Sequence, residues 1–139
     1  MKFSTLASSL LLAGSALATV PASFDNTYDN AAGSMLTVAC STGATGLAGR
    51  FPTFGDVPTF PNIGGASAIA GFGSANCGTC WKLTFAGTGV SILVTAIDHA
   101  GDGFNLSQEA LDTLTDGNAV ADGVVQVDAV QVDASQCGL

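Results

Sequence analysis

The side chains best suited to chemistry stand together at residues 96–105 (AIDHAGDGFN), which supply Asp98, His99, Asp102, Phe104 and Asn105. A carboxylate can pass a proton to a leaving group or accept hydrogen bonds from a ligand's hydroxyls, and an amide such as Asn105 both donates and accepts. Phe104 adds an apolar ring suited to the face of a sugar. Asp98 follows directly on an apolar run, where lost hydration favours the protonated form and suits a general acid. The competing role is structural, with Asp98 accepting backbone N–H bonds from the Gly-rich turn after it. His99 points to the opposite face wherever the strand persists, and a lone histidine there is more often structural. Glycoside hydrolysis takes two carboxylates at a set separation. Asp102 is near in sequence and Glu109 is taken up at a helix start, so no second carboxylate stands out. Binding is therefore favoured over cleavage. Asn105-Leu106-Ser107 is also a sequon for N-glycosylation, and a glycan there would obstruct the site.

A rigid element precedes Asp98. Residues 90–97 (VSILVTAI) are β-branched, nearly all apolar and of strand length, the pattern of a strand buried on both faces. Residues 81–86 form a second strand, joined to the first through Gly87-Thr88-Gly89 as a hairpin. After the Asp98 loop, Ser107 caps a helix over residues 108–114, with Glu109 at its positive end and Asp116-Gly117 as its stop. Upstream, residues 19–34 are polar and expected to run over the surface, anchored by Phe24 and Tyr28. Residues 35–40 (MLTVAC) read as a first strand. Residues 47–73 carry Pro52, Pro58, Pro61 and many glycines among Phe51, Phe54, Phe60 and Phe72, which predicts an irregular packed loop with one short helix at residues 66–70. Those aromatics and Trp81 are expected to pin the loop to the core rather than to bind ligand. VQVDA occurs at residues 125–129 and again at 130–134, and a repeat of five puts the second copy on the other face of a strand. Two strands, or one strand bulged near Ala129-Val130, are expected. Six strands, a short helix and Gly-rich connections make a mainly β barrel or sandwich.

The first eighteen residues read as a secretory signal, with Lys2, an apolar run and Ala16-Leu17-Ala18 as a cleavage pattern; residues 19–139 then form a single domain. No run is long enough to span a bilayer. Beyond the signal, Arg50 and Lys82 stand against eleven Asp and Glu, which disfavours nucleic acid and anionic membranes. A surface so poor in charge suits neutral polar partners, carbohydrate among them.

Cys40, Cys77, Cys80 and Cys137 in a small secreted chain imply two disulfides, with three possible pairings. CGTC resembles a redox motif but lacks the helix that would follow it, and a zinc site would want two close cysteine pairs. No metal or cofactor is expected.

The blocks CSTGATGL, FPNIGG, CGTCWKLTF, AIDHAGDGFN and VQVDASQCGL, in this order over residues 23–139, resemble the cerato-platanins, small secreted fungal proteins. The resemblance implies a six-stranded double-psi β-barrel similar to the first domain of expansins, with Cys40 paired to Cys77 and Cys80 to Cys137. It implies binding of chitin or N-acetylglucosamine oligomers, with cellulose as a second candidate, and elicitation of plant defence through an unidentified host receptor. It also implies a monomer that self-assembles at interfaces. Site residues carried by the resemblance are Asp98 and Asn105, with Thr37 and Leu83 at the border of the groove; Phe104 joins them from the reading above. The alternatives are expansin-like wall loosening centred on Asp98 and a surface-active coat protein. The chain departs from the family pattern at Phe24, Asp116, Asp122 and Val124, where Tyr, Gly, Leu and Arg are frequent.

Overall fold

The computed structural model describes residues 18–139, so all but the last residue of the expected leader lies outside the described residues. Six strands, β1 (Thr19–Phe24), β2 (Ile63–Ala66), β3 (Cys80–Phe85), β4 (Val90–His99), β5 (Phe104–Leu106) and β6 (Val125–Val132), close into a barrel in the order β1-β5-β2-β4-β3-β6. Two parallel pairs, β1 with β5 and β2 with β4, are embedded among antiparallel ones. Closure removes the open edges that a small sheet would otherwise present. Between barrel and sandwich, the tertiary structure chooses the barrel.

The β3–β4 hairpin forms as expected, and Gly89 at its turn has φ +71°. Val94, Thr95, Ala96 and Ile97 are all buried, which is why this run has no polar alternation. Helix α1 (Gln108–Thr115) starts at Ser107, whose hydroxyl accepts from the Ala110 N–H, and ends at Asp116 in a left-handed conformation. Ala110, Leu111 and Leu114 are its buried face, packed against β4. Glu109 lies exposed in the first turn, and the charge that meets the helix start comes from far away: Asp29 accepts from the N–H groups of both Gln108 and Glu109 at 3.0 Å. A second short helix, α2 (Ala119–Asp122), follows, its Ala119 N–H held by Asp112 at 2.9 Å.

Four expectations are corrected. Residues 19–34 do not simply run over the surface: β1 pairs with β5 and β6 and completes the barrel, because Val20, Ala22 and Phe24 alternate inward along a strand whose exposed side is polar. Tyr28 and Phe24 do anchor the segment, Tyr28 at 5% exposure. Residues 35–40 form no strand; Ser34 caps a single 3-10 turn at Met35–Thr37, and only Met35, Val38 and Cys40 are buried. The short helix at residues 66–70 is absent, and the preceding IGGA is β2 at the middle of the sheet. Its glycines are needed there because a Cβ on Gly64 would strike the Asn105 carbonyl and Leu106, while one on Gly65 would meet the His99 carbonyl. Finally, β6 is one unbroken strand. Its first half pairs with β1 and its second with β3, the exchange of partner falling at Asp128. The repeat does change face: Val125 and Val127 are buried, whereas Val130 is exposed.

All four cysteines are bridged, Cys40 to Cys77 and Cys80 to Cys137. Because Cys77 and Cys80 bond different partners, CGTC is two structural anchors rather than a redox pair. Among the described residues no helix is long and apolar enough to cross a membrane.

Candidate functional site

Gly65 in β2 is the register partner of Asp98 on one side and of Asn105 on the other, and Asn105 pairs onward with Ser23 of β1. The barrel therefore sets Asp98 and Asn105 in one row across three strands, about 10 Å apart at the usual strand spacing. The residue between them has no side chain. A shift of register between Gly64 and Gly65 is what brings Asp98 into this row, since without it Ile97 would take the place.

Asp98 is half-buried, and both of its carboxylate oxygens are hydrogen-bonded within the protein. Its Oδ2 accepts from the Tyr28 hydroxyl at 2.8 Å, and its Oδ1 accepts from the N–H groups of Ala39 at 2.9 Å and His99 at 2.8 Å. Both oxygens serve as acceptors for the protein's own donors, which is the structural role rather than that of a general acid. Asp102 and Glu109 are exposed on the following loop and at the helix start. Asn105 is half-buried; its Oδ1 accepts from the Ser23 hydroxyl at 3.1 Å, and among the described residues no group is bonded to its Nδ2. His99 turns away as expected, Nδ1 donating to the Ile69 carbonyl at 2.6 Å.

Tyr28, expected only as an anchor, also donates its hydroxyl to the Asp98 carboxylate. Burial first, and the hydrogen bond to Asp98 second, push its hydroxyl far above the ordinary value near 10. The sign follows: an unfolded chain ionises this phenol near pH 10 while the fold holds it protonated, so stability is intact below that pH and falls as pH rises past it. Tyr28 is the one tyrosine in the chain, so phenolate absorbance reports it alone. Phenolate is expected to appear together with unfolding above about pH 10, and Tyr28→Phe to remove that alkaline loss. A reversible titration near pH 10 in the folded protein would show the hydroxyl to be free.

The remaining site residues divide. Thr37 is exposed in the turn before Val38, its hydroxyl donating to the Ser34 carbonyl at 2.6 Å, and it lies two residues from the Ala39 N–H that holds Asp98. Leu83 is wholly buried and Phe104 is 5% exposed, its ring edge-on to Trp81 at 5.5 Å. Neither has surface to offer a sugar, so their expected contact is corrected to a place in the hydrophobic core. The cause lies in their strands: both point into the barrel, where apolar area is worth about 25 cal/mol per Å2.

The family model for cerato-platanin matches residues 20–139. The chain belongs to the cerato-platanin family. The allergen Asp f 15 of Aspergillus fumigatus is 49% identical over 118 residues, spanning 85% of this chain and 76% of its own. The crystal structure of cerato-platanin 2 from M. perniciosa superposes with a TM-score of 0.84 at 61% identity, covering 87% of this chain and 99% of that one. The solution structure of the fungal elicitor cerato-platanin gives 0.77 at 45% identity, covering 85% and 96%. An expansin of Clavibacter michiganensis, crystallised as a mutant with cellohexaose, shares the fold: TM-score 0.56, 23% identity, 84% of this cerato-platanin and 50% of the expansin. The expected barrel, its expansin likeness and both expected disulfide pairings are thus present in this cerato-platanin.

Proposed function

We propose that this cerato-platanin is a secreted, non-catalytic glycan-binding protein that takes oligomers of N-acetylglucosamine and acts on plant tissue as an elicitor. The observation that carries the reading is the row Asp98–Gly65–Asn105. Two polar side chains flank a glycine that places no side chain between them, and the Asn105 Nδ2 is left for a ligand's hydroxyl and acetamide groups. Thr37 borders the row through Ala39. A chain so poor in charge, acidic where charged, favours a neutral polymer over an anionic one. Secretion rests on the N-terminal pattern of residues 1–18 and the elicitor role on the family.

Titrating the protein with N-acetylglucosamine oligomers of increasing length, and with cellohexaose in parallel, tests the reading by amide NMR. Shifts are expected at Gly65 and at residues 98–105, larger for the amino sugar. A spectrum that stays still with every oligomer would remove the binding function and leave the Asp98 network as structure.

A further inference from the structure

A row of polar groups alone holds a sugar poorly, because each hydroxyl bond to the protein replaces one to water. Glycan sites add an apolar surface for the C–H face of the ring. Phe104 and Leu83 cannot supply it, since both are buried. Of the aromatic residues described, Tyr28, Phe51, Phe54 and Phe104 are buried, and Phe24, Phe60, Trp81 and Phe85 are partly buried against the core. Phe72 alone is exposed, at 68%.

Phe72 sits between Gly71 and Gly73, where an added Cβ would meet nothing within 4 Å. The loop is pinned on both sides. Ile69 is bonded to His99 at 2.6 Å, the Asn76 amide donates to the Ala68 carbonyl at 2.8 Å, and Cys77 is bridged to Cys40. The tip of the ring lies 3.6 Å from where a Cβ on Gly43 would stand, which places it beside the segment that begins at Cys40. That segment bonds directly to the candidate site: the Ala39 N–H to Asp98, and the Cys40 N–H to the Ile97 carbonyl at 3.1 Å. Phe72 thus stands beside the segment whose Ala39 and Cys40 N–H groups bond to β4 at Asp98 and Ile97. Exposing a large ring on a tied-down loop costs apolar burial, and preordering it removes an entropy cost from any ligand that stacks on it.

Building on the proposed glycan function, we infer that Phe72 is the aromatic contact of the site, stacking under a sugar unit beyond those held at Asp98 and Asn105. Longer oligomers reach it and short ones do not. The negative face of the ring meets the C–H groups of a pyranose, so the contact needs an aromatic ring and not merely an apolar side chain.

Calorimetry with a dimer and a hexamer of N-acetylglucosamine, on the unaltered protein and on Phe72→Ala, Phe72→Leu and Phe72→Trp, tests this. Phe72→Ala and Phe72→Leu are expected to weaken hexamer binding about tenfold and to leave the dimer unchanged, while Phe72→Trp retains hexamer affinity. Melting temperatures should be alike, since the ring is outside the core. Equal hexamer affinity in Phe72→Ala and the unaltered protein overturns the inference while the glycan function stands. Full affinity in Phe72→Leu overturns the stacking. A change only in surface tension assigns Phe72 to interfacial adsorption instead. Failure of the unaltered protein to bind any oligomer overturns both this inference and the function it rests on.

Discussion

Reducing both disulfides is expected to unfold the protein in buffer without denaturant. The bridges close loops of 37 and 57 residues. Constraining loops of that length removes unfolded-state entropy worth about 4 kcal/mol each. Domains of this size are stable by roughly 5 to 15 kcal/mol in total, so losing both bridges takes away most or all of the margin. The two are not equivalent in position. Cys80 lies in β3, in register with Thr95 and Val132, so its bridge to Cys137 ties the C-terminal turn to the barrel wall. Cys40–Cys77 instead joins two irregular segments that hold the Asp98 and Phe72 sides of the candidate site. Circular dichroism with and without reductant checks the overall result. In the single-bridge variants, Cys80→Ser with Cys137→Ser should lower the denaturation midpoint, and Cys40→Ser with Cys77→Ser should also broaden amide signals around residues 39–43 and 69–77. A reduced protein that keeps its sharp native spectrum would mean that barrel packing alone suffices.

Asp98→Ala is expected to cost about 3 kcal/mol, seen as a fall of roughly 10 °C in Tm. The substitution strands the buried Tyr28 hydroxyl and frees the Ala39 N–H, and a donor left without its charged acceptor loses more than an ordinary hydrogen bond. Asp98→Asn should be milder, about 1 kcal/mol, because its amide oxygen still accepts from one of these donors. The difference matters for function. Loss of oligomer binding in Asp98→Ala mixes an altered surface with a loosened 28–39 segment, whereas Asp98→Asn keeps the shape and changes the charge. A double-mutant cycle with Tyr28→Phe separates the two, since a strong coupling marks the pair as acting together. An Asp98→Ala protein melting within about 2 °C of the unaltered one would show that water replaces the carboxylate without loss.

The chain's local signals determined those features that depend on near neighbours. The β3–β4 hairpin follows from a β-branched run and a Gly-bearing turn, helix α1 from Ser107 and the Asp116-Gly117 stop, and the inward and outward valines of β6 from a five-residue repeat set against a period of two. Family blocks carried the barrel and the cysteine pairing, which composition left open among three choices.

Other features depend on contacts distant in sequence, and these only the tertiary structure decided. IGGA reads as a loop because glycine has no strand preference; it is a central strand because β4 and β5 press on its backbone from both sides. Residues 19–24 look like a polar tail until β5 and β6 supply neighbours on each edge. Phe104 and Phe72 are alike in sequence, each next to glycine, and the barrel buries one and leaves the other bare. Asp98 stands out in the sequence by its place after a buried strand. That its oxygens are filled by Tyr28, Ala39 and His99, turning a candidate acid into a structural tie, depends on a tyrosine seventy residues away in the chain, and no local pattern encodes such a contact.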